Sequence, residues 1–278
     1  MAYQRPVQVA GVILKEGLDR KIKANIVSKL VKAEIQTYTL EDFGSEGALK
    51  VENVNELKKM GTDIVITVGG DGTLLRALRL LHDETPVLPI NVGHRGILSE
   101  IKPEELDEAI TKLKRGEYIL DRRMRIAAKS NVKLPPATNE IYVVRRTHVG
   151  TPRFTIKIGE AHLNIRMDGV IVATPTGSTG HAYSLKGPVL QENLEAILVV
   201  PVSPLLNVPP IVIKPQLITI KADQHTDIVV DGQEVYPVEE GEVVICRYEC
   251  AANLVRFKSF TFKQLFRMIN QPALPLSA

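Results

Sequence analysis

Helical periodicity in this 278-residue chain runs out near residue 122, and that change of pattern restricts the fold more than any other feature. Before it, strand and helix patterns alternate. Val7 to Leu14 is an apolar run of strand length. Residues 19–33 then carry Ile22, Ile26, Val27, Leu30 and Val31 at helical spacing, and residues 35–40 form a short β-branched run. Val54, Leu57 and Lys58 predict a short helix, and residues 63–68 a continuous apolar strand ending at Gly69-Gly70. Leu74, Leu75, Leu78 and Leu81 form one helical face, residues 87–92 another strand, and residues 103–113 a helix opened by proline. Such alternation predicts a mainly parallel sheet covered on both faces.

Beyond Arg122 short β-rich runs take over, at residues 155–158, 170–173, 196–200, 217–220, 227–230 and 243–246. Turn signals such as Asp168-Gly169 and Asp231-Gly232 separate several of them. Phe262, Leu265, Phe266, Met268 and Ile269 mark a helix over residues 260–270. The predicted class is therefore α/β: a Rossmann-like parallel-sheet domain over residues 1–121, a β-rich domain over 122–256, and a C-terminal segment, 257–278, whose helix returns to the first domain.

Composition excludes more than it identifies. A net charge of +3 fits small anionic ligands, and the basic cluster Arg122-Arg123-Met124-Arg125 lacks the interleaved aromatics of a nucleic-acid platform. Residues 196–213 are uncharged, but Pro201, Pro204, Pro209 and Pro210 would break a spanning helix, so they read as a buried strand and a proline-rich loop with no membrane partner. Cys246 and Cys250 have no second pair to make a zinc site; Cys246 reads as a buried free thiol and the compartment as the cytoplasm. No N-terminal signal pattern is expected from residues 1–6.

Three segments carry chemistry. Gly69-Gly70-Asp71-Gly72-Thr73 sits where a strand gives way to a helix, the position at which α/β sheets bind ligands. Glycines there admit phosphates to the backbone, and free N–H groups at a helix start attract anions. Asp71 would repel such a ligand unless it serves as a base or faces a bound cation; the bland alternative is a helix cap. The second segment is Asp168-Gly169, a strand, then Thr174 to Gly180, where three hydroxyls surround a glycine; alone, it would read as a hydroxyl-capped turn. The third, Asn139-Glu140 ahead of an apolar strand, offers donors and acceptors to sugar hydroxyls.

In order and spacing these segments resemble the NAD kinase family over most of the chain. The matching pieces are GGDGT at 69–73, NVGHRGIL at 91–98, Asn139-Glu140, DGVIVATPTGSTG at 168–180 and Asp231-Gly232-Gln233. The GGDGT turn is shared with 6-phosphofructokinases and diacylglycerol kinases, whereas the TPTGST run is specific to NAD kinases. The resemblance implies phosphoryl transfer from ATP or polyphosphate to the adenosine 2′-hydroxyl of NAD, with a divalent cation, Mg or Mn, accompanying the donor. Asp71 would be the general base, with Gly69, Gly70, Gly72 and Thr73 shaping the phosphate turn and Arg76 beside it. Asn139 and Glu140 would hold the ribose, and Thr176, Ser178, Thr179, Gly180, His181, Ala182, Tyr183 and Ser184 would line the nucleotide pocket, closed by Gln233. Asp168, with Arg166 near it, would contact the dinucleotide, in a neighbouring subunit's site if the chain forms the homodimer or homotetramer usual in the family.

The sequence departs from that pattern in two places. His181 stands where a stacking tyrosine is usual, so altered affinity is expected, and His94-Arg95 replaces apolar residues, with Arg95 read as a solvated loop arginine. No Walker-type loop, zinc-protease helix or G-x-S-x-G elbow occurs. Asp42-Phe43-Gly44 spells a protein-kinase triplet without its partner motifs. Two alternatives stay open: a lipid or sugar kinase of the same superfamily, and a non-catalytic dinucleotide-binding regulator.

Overall fold

The computed structural model describes residues 4–43, 47–93, 96–239, 241–259 and 262–270. The chain forms two compact units, Met1–Arg122 with Ala252–Ala278, and Arg123–Ala251.

In the first unit a seven-stranded sheet runs in the order Leu49–Lys50, Gln36–Thr39, Val9–Leu14, Ile64–Gly69, Val87–Asn91, Ala252–Arg256, Ile119–Arg123. The pairings of Val9–Leu14 with Gln36–Thr39 and Ile64–Gly69, and of Ile64–Gly69 with Val87–Asn91, are parallel. Successive strand residues point to opposite faces, and both faces are buried. Ile64, Ile66 and Val68 join the core under the helices Arg20–Lys32 and Leu106–Arg115, while Ile13 and Val65 join that under Val54–Lys59 and Asp71–Leu80. This double cover leaves every residue of Ile64–Gly69 buried, and all but Thr67 lack a polar side chain. Asp19 caps the first helix by accepting from the Lys21 and Ile22 amides.

Two expectations need correction here. The helix placed over 103–113 begins as a 3-10 turn, Pro103–Glu105, before the α-helix Leu106–Arg115; 3-10 turns are frequent at helix starts, and proline fits the first position because its missing N–H would have no partner there. The strand Ala252–Arg256, placed in the β-rich domain by sequence, pairs within the first sheet, in parallel with Val87–Asn91. The C-terminal helix, Lys263–Ile269, also belongs to this unit.

The second unit contains two antiparallel sheets. One orders Ala161–Arg166, Arg153–Ile158, Ile218–Ala222, Glu242–Arg247 and Ile126–Lys129; the other orders Ile211–Ile213, Ile197–Val202, Gly169–Ala173, Glu140–Arg145, Thr226–Val230 and Glu234–Val238. Their facing side chains, Phe154, Ile156, Ile220 and Ile245 from the first and Val143, Val170, Val172 and Ile228 from the second, share one core. The six-stranded sheet is covered on its other face too, where Ile171, Ala173, Leu198 and Val200 meet Ala182 and Leu185. Residues 196–213 form the buried strand Ile197–Val202, a loop, and an edge strand, Ile211–Ile213. Both cysteines are free, and Cys246 is half-buried rather than buried. Among the described residues no helix is long and apolar enough to cross a membrane.

Candidate active site

The strand Val9–Leu14 lies between Gln36–Thr39 and Ile64–Gly69. Chain direction across the sheet reverses there, and the crevice beyond such strand ends is where open α/β sheets bind ligands. Gly69 ends its strand at this point and Asp71 begins the helix Asp71–Leu80. A Cβ on Gly69 would stand 2.1 Å from the Thr73 hydroxyl oxygen, so only glycine lets the turn close on the buried Thr73. Gly70, the N-cap, has open space where a side chain would project, and Gly72 is exposed. The backbone is therefore approachable at the positive end of a helix. Arg76, one turn on, is held by the Leu14 carbonyl and Glu16.

Asp71 is not a helix cap: no side-chain cap hydrogen bond forms at this helix. Its carboxylate turns to the loop 96–99 instead. Oδ2 accepts from the Ile97 amide at 2.9 Å, and Oδ1 from the Leu98 amide at 3.1 Å and the Ser99 hydroxyl at 3.4 Å. Burial pushes the carboxyl above its ordinary value, opposed by those hydrogen bonds and by the charge of Arg267. Among the described residues three donors reach Asp71, which is half-buried, against the roughly four lone-pair positions of a carboxylate. His94 and Arg95 lie outside the described residues.

In the second unit, two of the predicted segments are locked to each other. The Thr174 amide donates to the Asn139 carbonyl and the Thr174 hydroxyl to the Thr138 carbonyl. A Cβ on Gly177 would fall 2.1 Å from the Asn139 carbonyl oxygen, so the TPTGST turn lies directly on the Asn139 backbone. Asp231, in a left-handed turn with Gly232, accepts from the amides of Thr138, Asn139 and Glu140. The DGQ turn is visible in the sequence, whereas the hold of Asp231 on these three amides is not.

Side by side under these contacts, Asn139 Oδ1 and Glu140 Oε2 are buried without a hydrogen-bond partner among the described residues. Such atoms are costly to leave unpaired. Burial and the charge of Asp231 push Glu140 up to about 8, so it is a protonated donor at neutral pH.

The residues expected to line the pocket divide. Thr176, Ser178 and Ala182 are buried. Ser178 donates to the Pro175 carbonyl and accepts from the Leu190 amide, Thr176 accepts from Arg123, and Ala182 packs under its helix, so these three shape the turn from within. Gly180, His181, Tyr183 and Ser184 are exposed, Thr179 is half-exposed, and Gln233 is exposed beside Asp231. The imidazole of His181 meets the Tyr142 ring edge-on, centroids 5.3 Å apart.

Arg166 and Asp168 are not brought to Asn139. Gly169 pairs with Val144 while Ala173 pairs with Glu140, so Asp168 stands at the opposite end of the strand pair, roughly 20 Å away at the usual rise per residue. There Asp168 forms an ion pair with Arg145 at 3.0 Å, and Arg166 binds the Thr151 carbonyl.

The ATP-NAD kinase N-terminal domain family matches residues 2–118, and the ATP-NAD kinase C-terminal domain family matches residues 138–257. The chain belongs to the NAD kinase family. NAD kinase of Methanopyrus kandleri is 35% identical over 93% of this chain and 96% of its own length. The crystal structure of an NAD kinase from Archaeoglobus fulgidus in complex with ATP superimposes with a TM-score of 0.78 at 29% identity, covering 95% of this chain and 98% of that one. Yeast NADH kinase complexed with NADH shares the fold, with a TM-score of 0.82 at 20% identity over 99% of this chain and 91% of its own. NAD kinase activity is thereby assigned to this chain.

Proposed function

We propose that this NAD kinase uses Asp71 as the general base for direct phosphoryl transfer to the adenosine 2′-hydroxyl of NAD. The observation that carries this reading is the state of Asp71: anchored by Ile97, Leu98 and Ser99, raised by burial, half-buried and directly following the glycine turn. As the 2′-oxygen attacks the terminal phosphorus, Asp71 takes its proton. The bond to the leaving phosphate chain breaks, giving NADP and ADP, or a polyphosphate one unit shorter. Positioning and neutralisation of charge supply most of the acceleration in such transfers.

The amides around Gly70 and Gly72 receive the donor's phosphates in this reading, with ATP as the donor favoured by the Archaeoglobus relative's bound ligand. A divalent cation, Mg or Mn, accompanies the donor and neutralises its charge. Among the described residues no group of three or more His, Cys, Asp or Glu forms a protein cage for it. That suits a Mg ion carried mainly by substrate phosphates and water. Asn139 Oδ1 accepts from a ribose hydroxyl and protonated Glu140 donates to one, satisfying two otherwise orphaned atoms. Thr179, Gly180, His181, Tyr183, Ser184 and Gln233 present the accessible rim. The distance of Asp168 from Asn139 favours a role for Asp168 at a neighbouring subunit's site in a homodimer or homotetramer. The two free cysteines favour a reducing cytoplasm.

The test is a panel of ATP, other nucleoside triphosphates and polyphosphate with NAD as acceptor, reading NADP for the wild type and Asp71→Asn. NADP formation slowed by about 10²–10⁴ in the variant with every donor is expected; an Asn variant turning over near the wild-type rate removes Asp71 from the chemistry.

A further inference from the structure

The C-terminal helix touches the same loop that holds Asp71. Nη1 of Arg267 donates to the carbonyls of Gly96 and Ile97 at 3.3 Å each, and to the Ser99 carbonyl. The Gly96 carbonyl and the Ile97 amide are two ends of one peptide group, as are the Ile97 carbonyl and the Leu98 amide. Arg267 therefore grips the oxygen ends of the two peptides whose N–H ends hold the Asp71 carboxylate. Between them, Arg256 donates to the Leu98 carbonyl at 2.8 Å. Four consecutive carbonyls, 96 to 99, are thus held by two guanidiniums.

We propose that Arg267 is a positioning residue for phosphoryl transfer, fixing the loop 96–99 so that its amides set the orientation of Asp71. The inference rests on Asp71 being the base. Its physical content is a relay of two peptide dipoles with a cation at one end and a carboxylate at the other. A hydrogen bond polarised at both ends is stronger than an isolated one.

The charges around the relay are few. Asp71 faces Ser99 and Arg267. Arg267 faces Arg256, Glu100, Asp71 and Glu105, and burial lowers its own pKa. Glu100 is shared by Arg256 and Lys263 and also accepts from the Phe257 amide. Lys263 is lowered to about 8 by burial and the neighbouring Arg256. Its titration falls well above that of Asp71 and belongs to the alkaline limb of any rate profile.

The experiment measures kcat and KM for NAD against pH in the full-length enzyme for the wild type, Arg267→Ala, Arg267→Lys and Asp71→Asn. Arg267→Ala is expected to lower kcat by about ten- to a hundredfold through misplacement of Asp71, with little change in KM. Its acidic limb is expected to move upward because an attractive charge has been lost. Arg267→Lys keeps the charge on a side chain one bond shorter than the reach to Nη1, so the limb returns to its wild-type position while kcat recovers only in part. A purely structural contact would lower thermal stability and leave the limb in place, and that outcome overturns the proposal. Should Arg267→Ala fail to fold, Arg267→Lys decides: full wild-type kcat contradicts the proposal, whereas lowered kcat at an unmoved limb supports it. An active Asp71→Asn enzyme would remove the base reading itself; an inactive one beside an unaltered Arg267→Ala profile would remove only the role of Arg267.

Discussion

Asp71 and Asp231 do the same mechanical job in the two units, and only one has the features of a reactive group. Each carboxylate reaches across a gap in sequence and collects consecutive backbone amides, Ile97 and Leu98 for Asp71, Thr138 to Glu140 for Asp231. Asp231 is only 5% exposed, and its acidic neighbour Glu140 is forced toward the neutral form. Asp71 stays half-exposed, with Arg267 behind its donors and a glycine turn in front. Anchoring by amides alone thus makes a clamp. Anchoring by amides in a half-buried site where burial raises the pKa is what favours Asp71 as the proposed base.

The largest expected effect separates the two aspartates. Asp71→Asn is expected to lower kcat by about 10²–10⁴, the usual contribution of a positioned base, while its stability falls by only about 1–3 kcal/mol, because Asn keeps an acceptor for one of the two amides. Asp231→Ala should do the reverse. It leaves three buried amides without their acceptor and should destabilise the second unit by about 3 kcal/mol or more, at 1–3 kcal/mol per unsatisfied group, as read by denaturant unfolding. If the Ala variant unfolds like the wild type, Asp231 is no clamp.

Glu140 sharpens the comparison through pH. Its carboxyl has an ordinary value of 4.5 and stands at about 8 in the folded chain. Between those values the folded state retains a proton that the unfolded chain releases, so stability falls as pH rises through that window. Glu140→Gln, neutral throughout, should lack this decline and gain a few degrees of melting temperature over the wild type at about pH 8. Parallel stability curves for the two proteins across that range would show that Glu140 titrates normally.

The smallest expected effect concerns His181, exposed and edge-on to Tyr142. His181→Tyr should lower KM for NAD by about two- to tenfold, the range of one aromatic contact, with kcat unchanged. An unaltered KM would place this ring outside the dinucleotide's reach.

Much of this arrangement was legible in the sequence because it is local. A continuous apolar strand running into Gly69-Gly70-Asp71 before an amphipathic helix announces both the parallel sheet and the turn. Glycine at 177 before hydroxyl residues likewise signals a tight turn, though not that Asn139 lies against it. What stayed hidden is carried by backbone atoms or by distance along the chain. The donors to Asp71 are main-chain amides 26 and 27 residues away, and an amide has no sequence signature. Arg267 looks like any helix arginine until the loop 96–99 is found beneath it. The strand Ala252–Arg256 was misassigned because local pattern reports that a segment is extended, not which sheet it joins. Burial also divides the TPTGST run in a way composition does not, turning Ser178 and Thr176 inward while leaving Gly180 and His181 at the surface.

The most direct test of the central claim is the pH dependence of the phosphoryl-transfer step itself, measured in single turnover with saturating NAD and donor. The wild type is predicted to show an acidic limb with an apparent pKa above the ordinary carboxylate value of 3.8 for Asp71, and Asp71→Asn a residual rate independent of pH across the same range. An acidic limb that persists unchanged in Asp71→Asn would mean that another group accepts the proton.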